Sequence, residues 1–171
     1  MVFVAASDGY TAVVLQNGSV HCWGRNDYGQ CDVPVDLGVV TSVVAGFNHT
    51  AAILEDGSVR CWGLNNRGQC SVPSDLGVVT SVAAGFRHTV VVRDNGTVHC
   101  WGYNGYGKCN VPADIGVVIS IATGYDHTVA LLEDGTVRCW GCNFNGRCDV
   151  PADLGRVGPR EALTKSAVRR S

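Results

Sequence analysis

Short apolar runs alternate with turn residues along this chain, and the same order returns every 39 residues. A typical run is Thr89-Val90-Val91-Val92, which is rich in β-branched residues. Runs of this length predict strands covered on both faces. Asp-Gly or Asn-Gly then supplies the positive φ angles of a tight hairpin turn. With the alanine-rich segment before it and the Cys-Trp-Gly segment after it, each unit is predicted to be a three-stranded antiparallel meander, with room for a short fourth segment near its second cysteine.

The repetition is regular enough to define four units, 2–40, 41–79, 80–118 and 119–157. A period of this size is typical of architectures whose units cannot bury their apolar faces alone. We therefore expect an all-β fold: a β-propeller-type array of four 39-residue blades, each of three to four antiparallel strands, forming a partial or open propeller. Gly158-Pro159 interrupts the pattern, and residues 158–171 are expected to form a basic, poorly ordered tail.

Composition excludes several classes of function. The chain is 46% hydrophobic and 16% charged, which argues against disorder, and its longest apolar stretches are far too short to span a bilayer. The start of the chain lacks signal-peptide features, so an intracellular location, cytoplasmic or nuclear, is expected. Residues 1–155 carry 8 Lys/Arg against 14 Asp/Glu, so the repeats are not expected to bind nucleic acid.

Three phrases recur through the units: Gly85-Phe86-Arg87-His88-Thr89, Asp56-Gly57-Ser58-Val59, and the segment from Trp23 to Gln30. In this combination the chain resembles the regulator-of-chromosome-condensation (RCC1) repeat family. The resemblance implies seven-bladed propellers that act as interaction platforms, with roles that include nucleotide exchange on a small GTPase and ubiquitin-ligase scaffolding. Only four units are present here, so a fragment of a larger scaffold and a GTPase regulator both stay open beside a simple interaction module.

The nine cysteines allow three interpretations. Each unit has a Cys-x8-Cys pair, such as Cys22 and Cys31, that could form a disulfide. This spacing is unlike that of structural zinc sites. Without a secretory signal, free core thiols are favoured. Cys139-Trp140-Gly141-Cys142 is a C-x-x-C sequence that occurs once, at a variable position, so a redox role is not expected.

His49, His88 and His127 share one position in their units, where they could bind a metal or, as we expect, bond to backbone between neighbouring blades. The sequence shows no constellation typical of catalysis beyond the repeat positions themselves. No enzyme activity, cofactor or metal is therefore expected.

The positions that differ between units indicate where a partner binds. They fall in the loop after the first strand and the loop after the third, which an antiparallel meander places on the same rim of a blade. Aromatic and arginine residues of this kind are enriched in protein interfaces. An unidentified protein is thus the expected partner, with self-association through uncovered terminal blades as a further possibility and no membrane contact. The candidate partner-binding residues are Asp27, Tyr28, Phe47, Asn48, Asn66, Arg67, Phe86, Arg87, Tyr106, Tyr125, Asp126 and Phe144.

Overall fold

The computed structural model describes residues 3–158, in which the strand predictions are confirmed. The twelve strands are β1 (Phe3–Ser7), β2 (Tyr10–Val14), β3 (Val20–Gly24), β4 (Val40–Ala45), β5 (His49–Leu54), β6 (Val59–Gly63), β7 (Val79–Ala84), β8 (His88–Arg93), β9 (Val98–Gly102), β10 (Val118–Thr123), β11 (His127–Leu132) and β12 (Val137–Gly141). They form four separate three-stranded sheets, β1-β2-β3, β4-β5-β6, β7-β8-β9 and β10-β11-β12, which are blades 1 to 4. Every pairing is antiparallel.

The segment near the second cysteine of each unit forms turns, so the possible fourth strand is not present in the described residues. Short 3₁₀ turns occur there at Gly105–Gly107 and Phe144–Gly146. The proposed tail lies almost entirely outside the described residues, since the description ends at Gly158.

Hairpin turns connect each blade to the next. The carbonyl of Gly57 accepts a hydrogen bond from the Val79 amide at 2.9 Å, and the same bond links the other blades. Gly57 has a φ of +79°, and a Cβ there would lie 2.7 Å from Val78 Cγ1. Only glycine satisfies both conditions without strain. The recurring Asp-Gly and Asn-Gly pairs therefore shape the hairpin and leave room for the next blade.

The hydrophobic core lies between blades, divided into three clusters. The cluster between blades 2 and 3 contains Val59, Leu76 and Val91, with Trp101 packed against it. Equivalent clusters join blades 1 and 2 and blades 3 and 4. Blades 2 and 3 each take part in two such interfaces, and blades 1 and 4 each take part in one, so a blade buries its apolar faces only by stacking on its neighbours.

A hydrogen-bonded junction accompanies each cluster. The Gln69 carbonyl of blade 2 accepts bonds from Trp101 Nε1 at 3.0 Å and from Thr89 Oγ1 at 2.8 Å, both in blade 3. The Gln30 carbonyl receives the same pair of donors from blade 2, and the Lys108 carbonyl receives them from blade 4. Each junction thus satisfies a buried carbonyl that the sheets leave unpaired.

The histidines at the shared position take part in these junctions. His49 Nε2 lies 3.0 Å from Thr89 Oγ1, and His88 Nε2 lies 3.4 Å from Thr128 Oγ1. Since the Thr89 hydroxyl donates its only proton to Gln69, His49 must donate through Nε2. The expected link between blades is present, but its partner is a threonine side chain and not the backbone, because the backbone carbonyl nearby is already occupied. No group of three metal-ligating side chains occurs within residues 3–158.

The glycine three residues before each of these histidines provides space for the imidazole. A Cβ on Gly85 would lie 2.1 Å from His88 Cε1. We expect Gly85→Ala to lower the free energy of unfolding by about 1–3 kcal/mol because the ring must shift within a packed interface. A double-mutant cycle in urea with His88→Ala measures the clash directly. The double variant should lose less stability than the sum of the two single variants; additive losses would contradict the clash.

The burial of these histidines also makes the stability of the fold sensitive to acid. It lowers the pKa of His49 from 6.5 to about 4 and that of His88 to about 3. The unfolded chain therefore binds protons near pH 6.5 that the folded chain does not, so stability is complete above pH 6.5 and decreases as the pH falls toward 4. The loss should be on the order of 3 kcal/mol for His49. Urea unfolding across this range should show a shallower decrease for His49→Gln than for the wild type; identical pH profiles would contradict the assignment.

Candidate functional site

The two variable loops of each unit meet on one rim of the blade, as the strand directions predict. The residue after each Trp-Gly donates its amide to the loop that follows the first strand. In blade 3, for example, Tyr103 N lies 2.7 Å from the Arg87 carbonyl, and the other three blades have the same bond. We call this surface the variable rim: the loops that follow the first and third strands of the four blades.

An aromatic cluster occupies the inner part of the variable rim. Phe47, Phe86 and Tyr125 come from blades 2, 3 and 4. Phe86 stacks on Tyr125 with ring centroids 3.9 Å apart, and Phe47 meets both rings edge-on. The Phe47 amide bonds to the Gly85 carbonyl at 3.1 Å, so the cluster is fixed by backbone as well as ring contacts. Tyr125 remains 49% exposed, which gives the cluster a solvent-facing aromatic surface.

An asparagine side chain shapes the loop after the third strand, which we call the outer loop, in each blade. Asn104 Oδ1 accepts the Cys109 amide at 2.8 Å, and the equivalent asparagines of the other blades do the same. In blade 1 the buried Gln30 adds a second brace, since its Oε1 accepts the Tyr28 amide at 3.0 Å. The fixed asparagine and glutamine therefore present the variable residues between them in a defined conformation.

The loops of blades 3 and 4 adopt a conformation that blades 1 and 2 lack. Tyr106 and Asn145 occupy equivalent positions and have φ angles of 62° and 60°. Asparagine tolerates this left-handed region, whereas tyrosine does so at a cost. Tyr106 is 71% exposed, so interior packing does not account for the tyrosine. Strained, exposed aromatic residues of this kind are typical of functional surfaces.

Arginines accompany the aromatic residues around the rim. Arg25 lies over Tyr28, Arg67 over Tyr103, Arg87 over Phe86 and Arg147 over Phe144, with distances of 4.7–6.0 Å to the ring centroids. Only Arg25 among these four has a carboxylate within ion-pair distance in the described residues, namely that of Asp27. Arg147 Nε donates to the Phe144 carbonyl at 2.7 Å, whereas the Arg67 and Arg87 side chains make no hydrogen bond or ion pair in the described residues.

Lys108 is the exception among the basic residues, because its side chain is fully buried. Its ammonium group bonds to Asp126, which belongs to the first loop of blade 4, and lies over the Tyr103 ring. Lys108 occupies the position of Gln30 and Gln69, and sequence reasoning did not identify it. The ion pair joins the outer loop of blade 3 to the loop after the first strand of blade 4.

The predicted partner-binding residues differ widely in accessibility. Asp27, Tyr28, Asn66, Arg67, Tyr106, Tyr125 and Phe144 are exposed, whereas Phe47, Phe86, Arg87 and Asp126 are half-buried. Asn48 is only 6% exposed because its side chain turns into the blade, so we omit it from the surface that a partner could contact.

The cysteine pairs face each other within each blade. Cys100 and Cys109 form a disulfide, so the free-thiol prediction is wrong for this pair. Cys22 and Cys31 remain thiols, with sulfur atoms 2.8 Å apart. Burial raises the pKa of Cys22 to about 12, which disfavours the reactive thiolate. A strand and the loop that follows it bring the two sulfurs together, as the Cys-x8-Cys spacing allows, but the spacing does not determine which pairs are oxidised.

Comparison with known proteins agrees with this architecture. The Regulator of chromosome condensation (RCC1) repeat matches residues 1–30, 40–69, 79–108 and 118–147. The chain therefore belongs to the RCC1 repeat family, a class of β-propeller repeat proteins. No curated protein matches the chain. No helix within the described residues is long and apolar enough to cross a membrane.

Solved structures share the fold at low sequence identity. Prp20p from Saccharomyces cerevisiae, described with its binding to Gsp1p and histones, matches with a TM-score of 0.71 and 21% identity, over 81% of this chain and 44% of that one. The structure of Kap60 bound to yeast RCC1 (Prp20) matches with a TM-score of 0.75 and 19% identity, over 91% and 46%. The ectodomain of the Physcomitrella patens receptor kinase CR4 matches with a TM-score of 0.70 and 24% identity, over 81% and 38%. The chain thus spans less than half of each of these structures.

The conformation of Tyr106 yields a prediction. Tyr106→Asn should raise the free energy of unfolding by about 0.5–1 kcal/mol, because asparagine accepts the left-handed backbone with less strain. Tyr28→Asn is the matched control, since Tyr28 holds the equivalent position of blade 1 with an ordinary φ, and it should leave stability within about 0.5 kcal/mol. Chemical denaturation measures both. Equal effects at the two positions would show that the backbone conformation is not the cause.

Proposed function

We propose that this chain is a non-catalytic RCC1-type propeller module. Its variable rim binds an acidic surface on a protein partner. The observation that carries the proposal is the set of four arginine–aromatic pairs, to which each blade contributes one arginine, on a rim braced by fixed asparagines. Aromatic rings and arginines are the residue types that dominate binding energy in protein interfaces.

Charge distribution supports the acidic partner. The opposite rim consists of the hairpin turns and of the turns at Gly38, Gly77, Gly116 and Gly155. It carries most of the carboxylates of the repeats, including Asp75, Asp94 and Glu133. Arginines there are drawn into contacts with the blade: Arg60 pairs with Asp36, and Arg93 bonds to the Asp75 carbonyl. On the variable rim, the Arg67 and Arg87 side chains make no hydrogen bond or ion pair within the described residues, which leaves them to pair with a partner's carboxylates. Complementary charge would raise the association rate and set the orientation of the partner.

Nucleotide exchange on a small GTPase is a second candidate. Prp20p, which shares the fold, is described with binding to Gsp1p. A GTPase is a protein partner, so the same rim would serve this activity. Because identity to Prp20p is 21%, we rank exchange below simple binding.

The proposal predicts that three exposed rim residues are essential for capture. Replacing Tyr28, Arg67 and Tyr106 together with alanine should reduce partner capture by at least tenfold and leave the melting temperature within about 2 °C. Affinity capture followed by titration of the purified partner measures the loss. A matched triple variant on the opposite rim, with alanine at Val35, Asp75 and Asp114, should bind as the wild type does.

The outcomes separate the alternatives. Binding should weaken as salt is raised from 0.05 to 0.5 M, because arginine–carboxylate pairs are screened (~10 Å Debye length at 0.1 M). Accelerated release of labelled GDP from a captured GTPase would establish exchange. Equal capture by both triple variants would refute the rim as the binding surface, and rim-dependent binding to an acidic DNA duplex instead of protein would refute the partner class.

A further inference from the structure

The two end faces of the four-blade array carry the two halves of the interface that joins its blades internally. We call the outer face of blade 1 the leading face and the outer face of blade 4 the trailing face. Each internal junction packs the leading side of one blade on the trailing side of the blade before it. The leading and trailing faces can therefore be compared, position by position, with three interfaces that the chain already forms.

The leading face exposes a set of apolar residues that are buried elsewhere. Val4, Leu15 and Trp23 are 74%, 40% and 54% exposed. Of their equivalents in blade 2, Val43 and Trp62 belong to the core between blades 1 and 2, and Leu54 packs against that core. Trp62, the counterpart of Trp23, is only 7% exposed. The leading face thus keeps the residues of a blade junction although no described residue covers them.

The trailing face carries the complementary set. Val150 and Leu154 are 38% and 45% exposed. Their equivalents in blade 2, Val72 and Leu76, pack in the core between blades 2 and 3. The trailing face therefore offers the surface on which a leading face packs.

The polar groups of the junction are divided in the same way. Trp23 Nε1 and Thr11 Oγ1, the two donors, have no hydrogen-bond partner among residues 3–158. The acceptor at the other end is the Arg147 carbonyl, which corresponds to that of Lys108 and is approached there only by the Cys139 thiol, at 3.6 Å. His127 Nε2 likewise lacks the threonine hydroxyl that His49 and His88 contact. Each group left unpaired at one end therefore has its complement at the other end: Trp23 and Thr11 match the Arg147 carbonyl, and His127 matches the Thr11 hydroxyl oxygen.

We propose that two copies of this chain associate head to tail, with the leading face of each on the trailing face of the other, to form a closed pair of eight blades. Two four-blade arcs joined at both ends form the smallest assembly that leaves neither face uncovered. Curvature supports closure, since the Phe47 and Tyr125 rings of blades 2 and 4 lie 5.7 Å apart across the intervening blade. Head-to-tail interfaces form closed rings when the rotation between copies permits it.

Light scattering coupled to size-exclusion chromatography tests the proposal, with reductant present so that Cys142 cannot cross-link the chains. The wild type should have about twice the 18.0 kDa mass of one chain. Trp23→Glu places a charge in the leading face, and Val150→Glu places one in the trailing face. Each variant alone should therefore have the mass of one chain. Val35→Glu is the matched control: Val35 is fully exposed away from both faces, and this variant should keep the doubled mass.

Mixing the two variants distinguishes head-to-tail contact from any symmetric contact. The Val150→Glu chain keeps its leading face and the Trp23→Glu chain keeps its trailing face, so an equimolar mixture should recover the doubled mass through one intact junction. This recovery would also show that both variants are folded. A wild type that stays at one-chain mass up to 0.2 mM, a mixture without recovery, or masses that rise past two copies with concentration would each overturn the closed pair.

Discussion

The structure depends on one repeated interaction. At each junction a loop carbonyl accepts hydrogen bonds from a tryptophan and a threonine side chain of the next blade. Gln30, Gln69 and Lys108 provide this carbonyl at the three junctions. A three-stranded sheet of fewer than 20 strand residues cannot bury enough apolar surface to fold alone. The apolar clusters supply the driving force for stacking, and the directional bonds fix the position of each blade on its neighbour.

The same carbonyl determines where the variable rim can be. It belongs to the loop after the third strand, so the bonds that join two blades also hold one end of that loop. Gln30 serves both purposes. Its carbonyl accepts a hydrogen bond from blade 2, and its side chain accepts the Tyr28 amide within its own loop. Residues between the asparagine and this position are free to vary without loss of the junction. A rigid array can thereby carry a surface whose composition differs from blade to blade.

Much of this could be predicted from the sequence, because the four units act as an alignment of one another. Strand order, hairpin positions and the shared rim all followed from apolar runs and turn residues. The junction bonds did not, because a backbone carbonyl leaves no mark in a sequence; the invariant Thr50 and Trp62 positions were the available signal. The burial of Asn48, the Lys108–Asp126 ion pair and the Cys100–Cys109 disulfide depend on the conformation of the loops, which periodicity does not describe.

The most direct measurement of the central claim is the free energy of unfolding of Thr89→Val, Trp101→Phe and the double variant. Both side chains donate to the Gln69 carbonyl, and valine and phenylalanine remove the donors with little change in shape. Each single variant should lose about 1–2 kcal/mol, and the double variant should lose more than their sum, because the buried carbonyl is then unpaired. Losses below about 0.5 kcal/mol in all three variants would contradict the claim that this junction holds the blades together.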